Sequence, residues 1–366
     1  METIDRNIQE AFAWLRFALD PVGEVPVVTD WEALLAFAQK QRIAGVCSPA
    51  DFPFQIEKTI LRQWGKIVMT IEKQNAKVNN YLGELCRLLE DAGFSYCILK
   101  GQGNAQMYPY PPKRAPGDID VWIDADMETV YAFVRKLFPE AEASYKHIHF
   151  PLFKDVPVDV HVTPLRFHNP RYQRRLQQWI EREKAEQFSH RIAFADLGRE
   201  ICVPTLRFNM VYQLGHILIH LFDEGVGLRH VIDYYYLLKQ LDAFPGLREE
   251  IRKDFKDLGL MRFASAVMWI EKDVLGLPEK YCPVETHERL GRVLLADMLE
   301  GGNFGKFSTR YHGRKGFYRK GLIKVKRNMA LFSFFPSEAG SRMVYRMRTA
   351  IEHAWEKNLG HLSRKN

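Results

Sequence analysis

Apolar positions recur at three- and four-residue spacing through residues 1–90, a spacing that predicts helices. Ile8, Phe12, Leu15 and Leu19 mark a first helix, and Trp31, Leu34, Leu35, Phe37 and Ala38 a second. From Ile56 to Leu89 the pattern runs on through Ile60, Trp64, Ile67, Val68, Ile71, Val78, Leu82 and Leu85, then stops at Ala92-Gly93. Pro21, Pro26, Pro49 and Pro53 punctuate the earlier part.

The texture changes after Gly93. Residues 94–99 read as a short strand, 101–108 as a helical turn or two, and the proline-rich 109–117 as a loop. Strict alternation predicts a strand over 118–123, and an amphipathic pattern predicts a helix over 127–137. Strands over 145–153 and 157–163 flank Lys154-Asp155 as a hairpin. A charged helix is expected over 170–187, and apolar helical periodicity returns over 205–300. The last forty or so residues read as a terminal helix pair, and no internal repeat is found. The expected class is α/β (α+β), with a small mixed sheet and helices at 93–168 and helical regions at 1–92 and 169–300. A basic, aromatic-rich tail follows at 301–366. A chain of 366 residues is longer than one hydrophobic core usually supports, which fits such a division.

The strands carry the candidate chemistry. Side chains alternate faces along a strand, so Asp118 and Asp120 share one face while Ile119, Val121 and Ile123 take the other. In 158–162, Asp159 and His161 likewise share a face opposite three valines. If the two strands are neighbours, three carboxylates converge. They do not all stay ionised at contact distance without compensation. A divalent cation compensates them, and an all-oxygen set suits Mg²⁺ or Mn²⁺ rather than zinc. Such ions keep positions open for phosphates, which makes phosphate chemistry the leading expectation. A D-x-D alone is common in strands. The third aspartate sets this one apart, as does a preceding strand that ends in Lys100-Gly101, offering a cation and backbone N–H groups. Neither a Walker A loop nor a Rossmann fingerprint is present.

Other polar residues admit two readings. Arg114, four residues before Asp118, is either a phosphate contact or a loop-ordering arginine. His147, His149 and His161 are expected to line the cleft, with His161 bonded to a carboxylate or substrate. His216 and His220, four apart on a helix, read as satisfied core histidines, and no H-E-x-x-H motif is present. Arg229 and Asp233 form an i,i+4 pair that either caps the cleft or is structural.

The stretch ILKGQGNAQMYPYPPKRAPGDIDVWI, followed by VDVHV, resembles the polymerase-β-like nucleotidyltransferase superfamily. More narrowly it is similar to the bacterial family of uncharacterised nucleotidyltransferases, whose members share LKG…YP…R…DiDl and a later iDlH. The resemblance is close over 94–165 and loose over 205–240. It implies that Asp118 and Asp120 bind the metal, and that Asp159 completes the site and can deprotonate an attacking hydroxyl. It places Lys100, Gly101 and Gln102 against the triphosphate, with Arg114 as a candidate phosphate contact; His161 and Arg229, by their own positions, are further candidate nucleotide contacts. Gln102 departs from the superfamily, which usually has Gly or Ser there, so the serine hydroxyl that touches phosphate is missing. The implied activity moves an NMP from an NTP such as ATP to a hydroxyl of a small molecule, protein or RNA, releasing pyrophosphate. A toxin-type enzyme acting on transfer RNA falls within it. A non-catalytic nucleotide- or RNA-binding module is the alternative, and a phosphodiesterase would call for several histidine ligands.

Composition adds less. Net charge is +7 with a pI near 9.0, which permits an anionic partner. The excess peaks between Lys306 and Arg327, where nine Lys or Arg residues and four aromatics meet no Asp or Glu, so RNA is a candidate partner and a solvated helix face the bland one. Five cysteines without a CxxC pair suggest reduced thiols rather than a zinc site or disulfide framework. The lack of a membrane-length apolar window and of a signal-peptide pattern makes a cytoplasmic protein without a membrane partner the expectation.

Overall fold

The computed structural model describes residues 6–52, 56–143, 147–244, 246–305, 317–345 and 347, without the side chains of residues 304 and 317–324. Helices α1 (Arg6–Leu19), α2 (Trp31–Lys40) and α3 (Lys58–Asp91) fall where the periodicity puts them. α3 buries Trp64, Leu82, Leu85 and Leu89, but also Asn75 and Asn79 on the same face. It stops because Gly93 takes φ 79°, a left-handed conformation, while the Phe94 N–H donates back to the Leu89 carbonyl at 2.9 Å.

The small sheet has the order β1-β2-β4-β3. β1 (Tyr96–Ile98) runs antiparallel to β2 (Ile119–Ile123), β2 parallel to β4 (Val158–His161), and β3 (Ile148–Phe150) antiparallel to β4. The β3–β4 hairpin is therefore as expected, with strands shorter than the sequence suggested. The β2–β4 ladder opens where the Ile119 N–H donates to the Pro157 carbonyl, so Asp118 stands just before the strand. α4 (Gln102–Ala105) follows β1, and α5 (Met127–Leu137) links β2 to β3. α5 starts at Asp126, whose carboxylate accepts from the Thr129 N–H at 2.8 Å.

α6 (Pro170–Gln187) begins at Asn169, whose side chain accepts from the N–H groups of Arg171 and Tyr172. A hairpin of β5 (Arg191–Phe194) and β6 (Arg199–Cys202) follows, which the hydrophobic pattern did not reveal. Its burial is uneven, and Arg191, Arg199 and Glu200 interrupt any apolar run. The helical remainder comprises α7 (Leu206–Asp223), α8 (Leu228–Lys239), α9 (Leu247–Asp257), α10 (Met261–Trp269), α11 (Glu288–Gly301) and α12 (Phe317–Phe332), with a further helix at 336–345. One hydrophobic cluster runs from α1 through the sheet to α11 and on to Leu331 and Ala339. Among the described residues no helix is long and apolar enough to cross a membrane. All five cysteines are free thiols.

Candidate metal and phosphate site

The parallel β2–β4 register sets Asp120 directly beside Asp159. Carboxylate oxygens of Asp118, Asp120 and Asp159 all lie within 4.8 Å of one another, the convergence expected if these strands were neighbours. Trp122, next on the same face of β2, stacks on Phe208 and is tilted against Phe188, so aromatic packing seals that end of the face. The aspartate end stays open to a cleft of about 710 Å³. His216, Ile219, His220 and Asp223 also line it, at the spacing of a single face of α7.

Lys100 joins the cluster from the end of β1. Its Nζ is 3.0 Å from Asp120 Oδ2 and 3.8 Å from Asp118 Oδ2, and it donates to His216 Nε2 at 3.1 Å. Burial works against the ammonium charge, but the two carboxylates outweigh it and hold Lys100 above its usual range. For His216, burial and then the Lys100 charge push the imidazole well below its ordinary value, which suits it to accept that bond. His161 Nε2 donates to Asp120 Oδ1 at 3.1 Å. Despite burial, Lys100 and His161 together keep Asp120 below the ordinary carboxylate range. Asp118 is raised, first by the Asp120 charge and then by burial. Asp159 has His149 Nδ1 at 3.4 Å and His147 Nε2 at 3.7 Å from one oxygen.

Gly101 makes the turn into α4 with φ 63° and ψ −110°, a region essentially confined to glycine. A Cβ there would stand 3.3 Å from the Asp118 carbonyl oxygen, so the turn packs directly on the first carboxylate.

Three expected nucleotide contacts do not line the larger cleft. Gln102 is 3% exposed, and its amide donates to Asn75 Oδ1 at 3.2 Å and to Asn79 Oδ1. It ties the turn to α3 and does not face the cleft. Arg114 is 4% exposed and makes a bidentate pair with Asp233 at 2.7 and 2.8 Å, with Tyr108 donating to the same carboxylate. The void beside it, shared with Lys100, Asp118 and Arg229, holds about 20 Å³, room for a water and not a phosphate. Asp233 is thus engaged in hydrogen bonds by Arg114, while the Arg229 charge also acts on it, as the i,i+4 spacing suggests. Arg229 donates to the Ala115 carbonyl at 3.2 Å and to that of Pro116 at 3.5 Å. It orders the loop that leads to Asp118, and burial and the nearby Arg114 charge lower its pKa to about 10.

His216 and His220 of α7 are hydrogen-bonded, as expected, but line the cleft rather than the core, 3.1 Å apart. Their sequence signal is a polar line at 209, 213, 216, 220 and 223 along one face of the helix. Of the basic segment, residues 306–316 and the side chains of 317–324 lie outside the described residues. Arg327 is turned inward, donating to the Leu221 carbonyl and pairing with Asp297, so it is a packing anchor.

Three carboxylates gathered at the two central strands of a small mixed sheet, over a cleft walled by helices, define an α/β protein with a candidate cation site. Within that class the chain belongs to the family of uncharacterised nucleotidyltransferases, which matches residues 28–276. No curated protein matches the chain. A solved structure, an antigenic nucleotidyltransferase-like protein from Paracoccidioides brasiliensis, aligns over 58% of this chain and 95% of its own. Its identity is 12% and its TM-score 0.32, a distant likeness on which nothing below rests.

Proposed function

We propose that this chain is a metal-dependent nucleotidyltransferase that moves an NMP from an NTP to a hydroxyl acceptor and releases pyrophosphate. The observation that carries the reading is the convergence of Asp118, Asp120 and Asp159 beside Lys100 in an open cleft. The donor set fits Mg²⁺ or Mn²⁺: all ligand atoms are carboxylate oxygens, gathered within 4.8 Å of one another. Asp118, Asp120 and Asp159 would hold the ion, which when bound supplies charge neutralisation for the reacting phosphate.

The chain's own groups supply the rest. His161 fixes the rotamer of Asp120 through its bond to Oδ1, while Oδ2 faces the Lys100 ammonium at 3.0 Å. Lys100 holds a positive charge against the carboxylates and, at the cleft wall, is placed to meet phosphate oxygens. Asp159, less buried than Asp120, accepts the proton of an incoming acceptor hydroxyl. No described histidine completes a metal cluster of its own, which disfavours the phosphodiesterase reading. The acceptor class stays open between a small molecule, a protein and RNA, including a transfer RNA.

The test incubates the full chain with Mg²⁺ or Mn²⁺, labelled NTPs and candidate acceptors, bulk RNA among them. Transfer is expected, falling at least about 100-fold in Asp159→Asn and in Asp118→Asn. Nucleotide binding without pyrophosphate release under any condition would instead support a non-catalytic nucleotide-binding protein.

A further inference from the structure

A second cleft, of about 450 Å³, shares no described lining residue with the catalytic one. Its size lies within the range of small-molecule sites. Ala44, Ile67, Ile71 and Ala115 give it an apolar lining. Arg42 and Lys66 also line it, and no Asp or Glu does among the described residues.

Local electrostatics leave positive charge in excess. Asp233, buried beside Arg114, is already engaged by it in two hydrogen bonds. Burial, and then the Arg114 charge, pull Arg42 below the ordinary guanidinium range. An incoming anion would relieve that crowding.

Two further observations concern the residues themselves. Arg42 has φ 57°, and no other non-glycine residue among those described has a positive φ. That conformation closes the C-terminus of α2: the Arg42 N–H donates to the Gln39 carbonyl at 3.1 Å and the Ile43 N–H to that of Ala38 at 2.8 Å, so the helix end fixes the Arg42 backbone at the cleft. Asn303, 2% exposed, lines the cleft with an Oδ1 that accepts no hydrogen bond among the described residues. A buried acceptor of this kind is costly unless something donates to it.

From these observations we infer that this cleft is a second ligand site for a small amphipathic anion. Its apolar body would lie on Ile67, Ile71 and Ala115, and its anionic head would meet Arg42 and Lys66. The site adjoins the catalytic loop: Arg42 donates to the Pro116 carbonyl at 2.9 Å, two residues before Asp118.

Calorimetric titration of the full chain with 1-naphthyl phosphate tests this, with 1-naphthol and inorganic phosphate as its two halves. One molecule per chain is expected to bind, with each half at least about tenfold weaker. Saturating Mg²⁺–ATP should leave the affinity unchanged, as should Asp159→Asn. Arg42→Gln should weaken binding about tenfold or more. Thr70→Glu, at an exposed position lining the same cleft, should do so by repulsion and keeps the test valid if Arg42→Gln fails to fold. Absence of binding overturns the inference, as does an affinity indifferent to Thr70→Glu. Displacement by Mg²⁺–ATP or loss in Asp159→Asn would put the probe in the catalytic cleft and overturn it too. The titration needs no turnover, so its outcome is independent of whether transfer is ever observed.

Discussion

At the residue scale, the carboxylates were legible because strand alternation is a local rule with a period of two. Asp118, Asp120 and Asp159 announce their shared faces within a few residues of sequence. Gln102, Arg114 and Arg229 do not, because their partners come from far along the chain. Gln102 meets Asn79, 23 positions away, and Arg114 meets Asp233, 119 away. A long polar side chain near a motif can serve either a ligand or the scaffold, and only the identity of its neighbours decides.

Glu271 makes the same point at a buried position. It is fully buried, and neither carboxylate oxygen has a hydrogen-bond partner among the described residues. Burial raises its pKa well above the ordinary 4.5. Because the folded-state value is raised, its contribution favours folding below the unfolded value and is lost as pH climbs toward the folded one. Wild-type stability should therefore fall with rising pH above about 4.5, by up to about 1.4 kcal/mol per unit from this group. Glu271→Gln should flatten that slope, and denaturant midpoints of the two proteins across pH 5–8 check it.

At the element scale, the turn between β1 and α4 and the register between β2 and β4 build the site. Gly101→Ala must force an L-residue into a conformation kept for glycine and press a Cβ toward the Asp118 carbonyl. A loss of about 1–3 kcal/mol is expected, together with weaker Mn²⁺ binding as Asp118 is displaced. Thermal unfolding and a Mn²⁺ titration by electron paramagnetic resonance measure the two effects. Normal Mn²⁺ affinity in a folded Gly101→Ala protein would mean that the turn does not position the carboxylates. α3 contributes through its buried polar residues: Asn75 donates to the carbonyls of Pro112 and Arg114 at 2.7 and 2.6 Å, holding the loop before Asp118. The periodicity foretold this helix well, yet gave its asparagines no role. The β5–β6 hairpin escaped notice because short strands with charged outer faces carry little periodic signal.

At the scale of the whole molecule, the aspartate-lined cleft is completed by chain beyond the family-matched region of residues 28–276. Tyr345 lines it, its ring 4.9 Å from that of His168. The helix at 336–345 is held down by Arg342, which is 1% exposed and bonds Asp223 at 2.7 Å and Glu338 at 3.0 Å. Removing one partner from a buried ionic network is costly, about 3–5 kcal/mol. Arg342→Ala should accordingly release 336–345, seen as lost hydrogen-exchange protection there while α10 stays protected. Unchanged protection of 336–345 would show that other contacts hold this wall in place.

The sequence by itself determined the helices, the two alternating strands and the three aspartates, since each follows from spacing within one element. Local rules suffice there because a side chain's face depends only on backbone geometry. The tertiary structure decided that β2 and β4 adjoin in a register that pairs Asp120 with Asp159, and that Lys100 reaches them. It also decided that Arg114 and Gln102 serve the scaffold while α7 turns His216 toward the cleft. Those outcomes depend on which surfaces bury one another, a property of the whole chain.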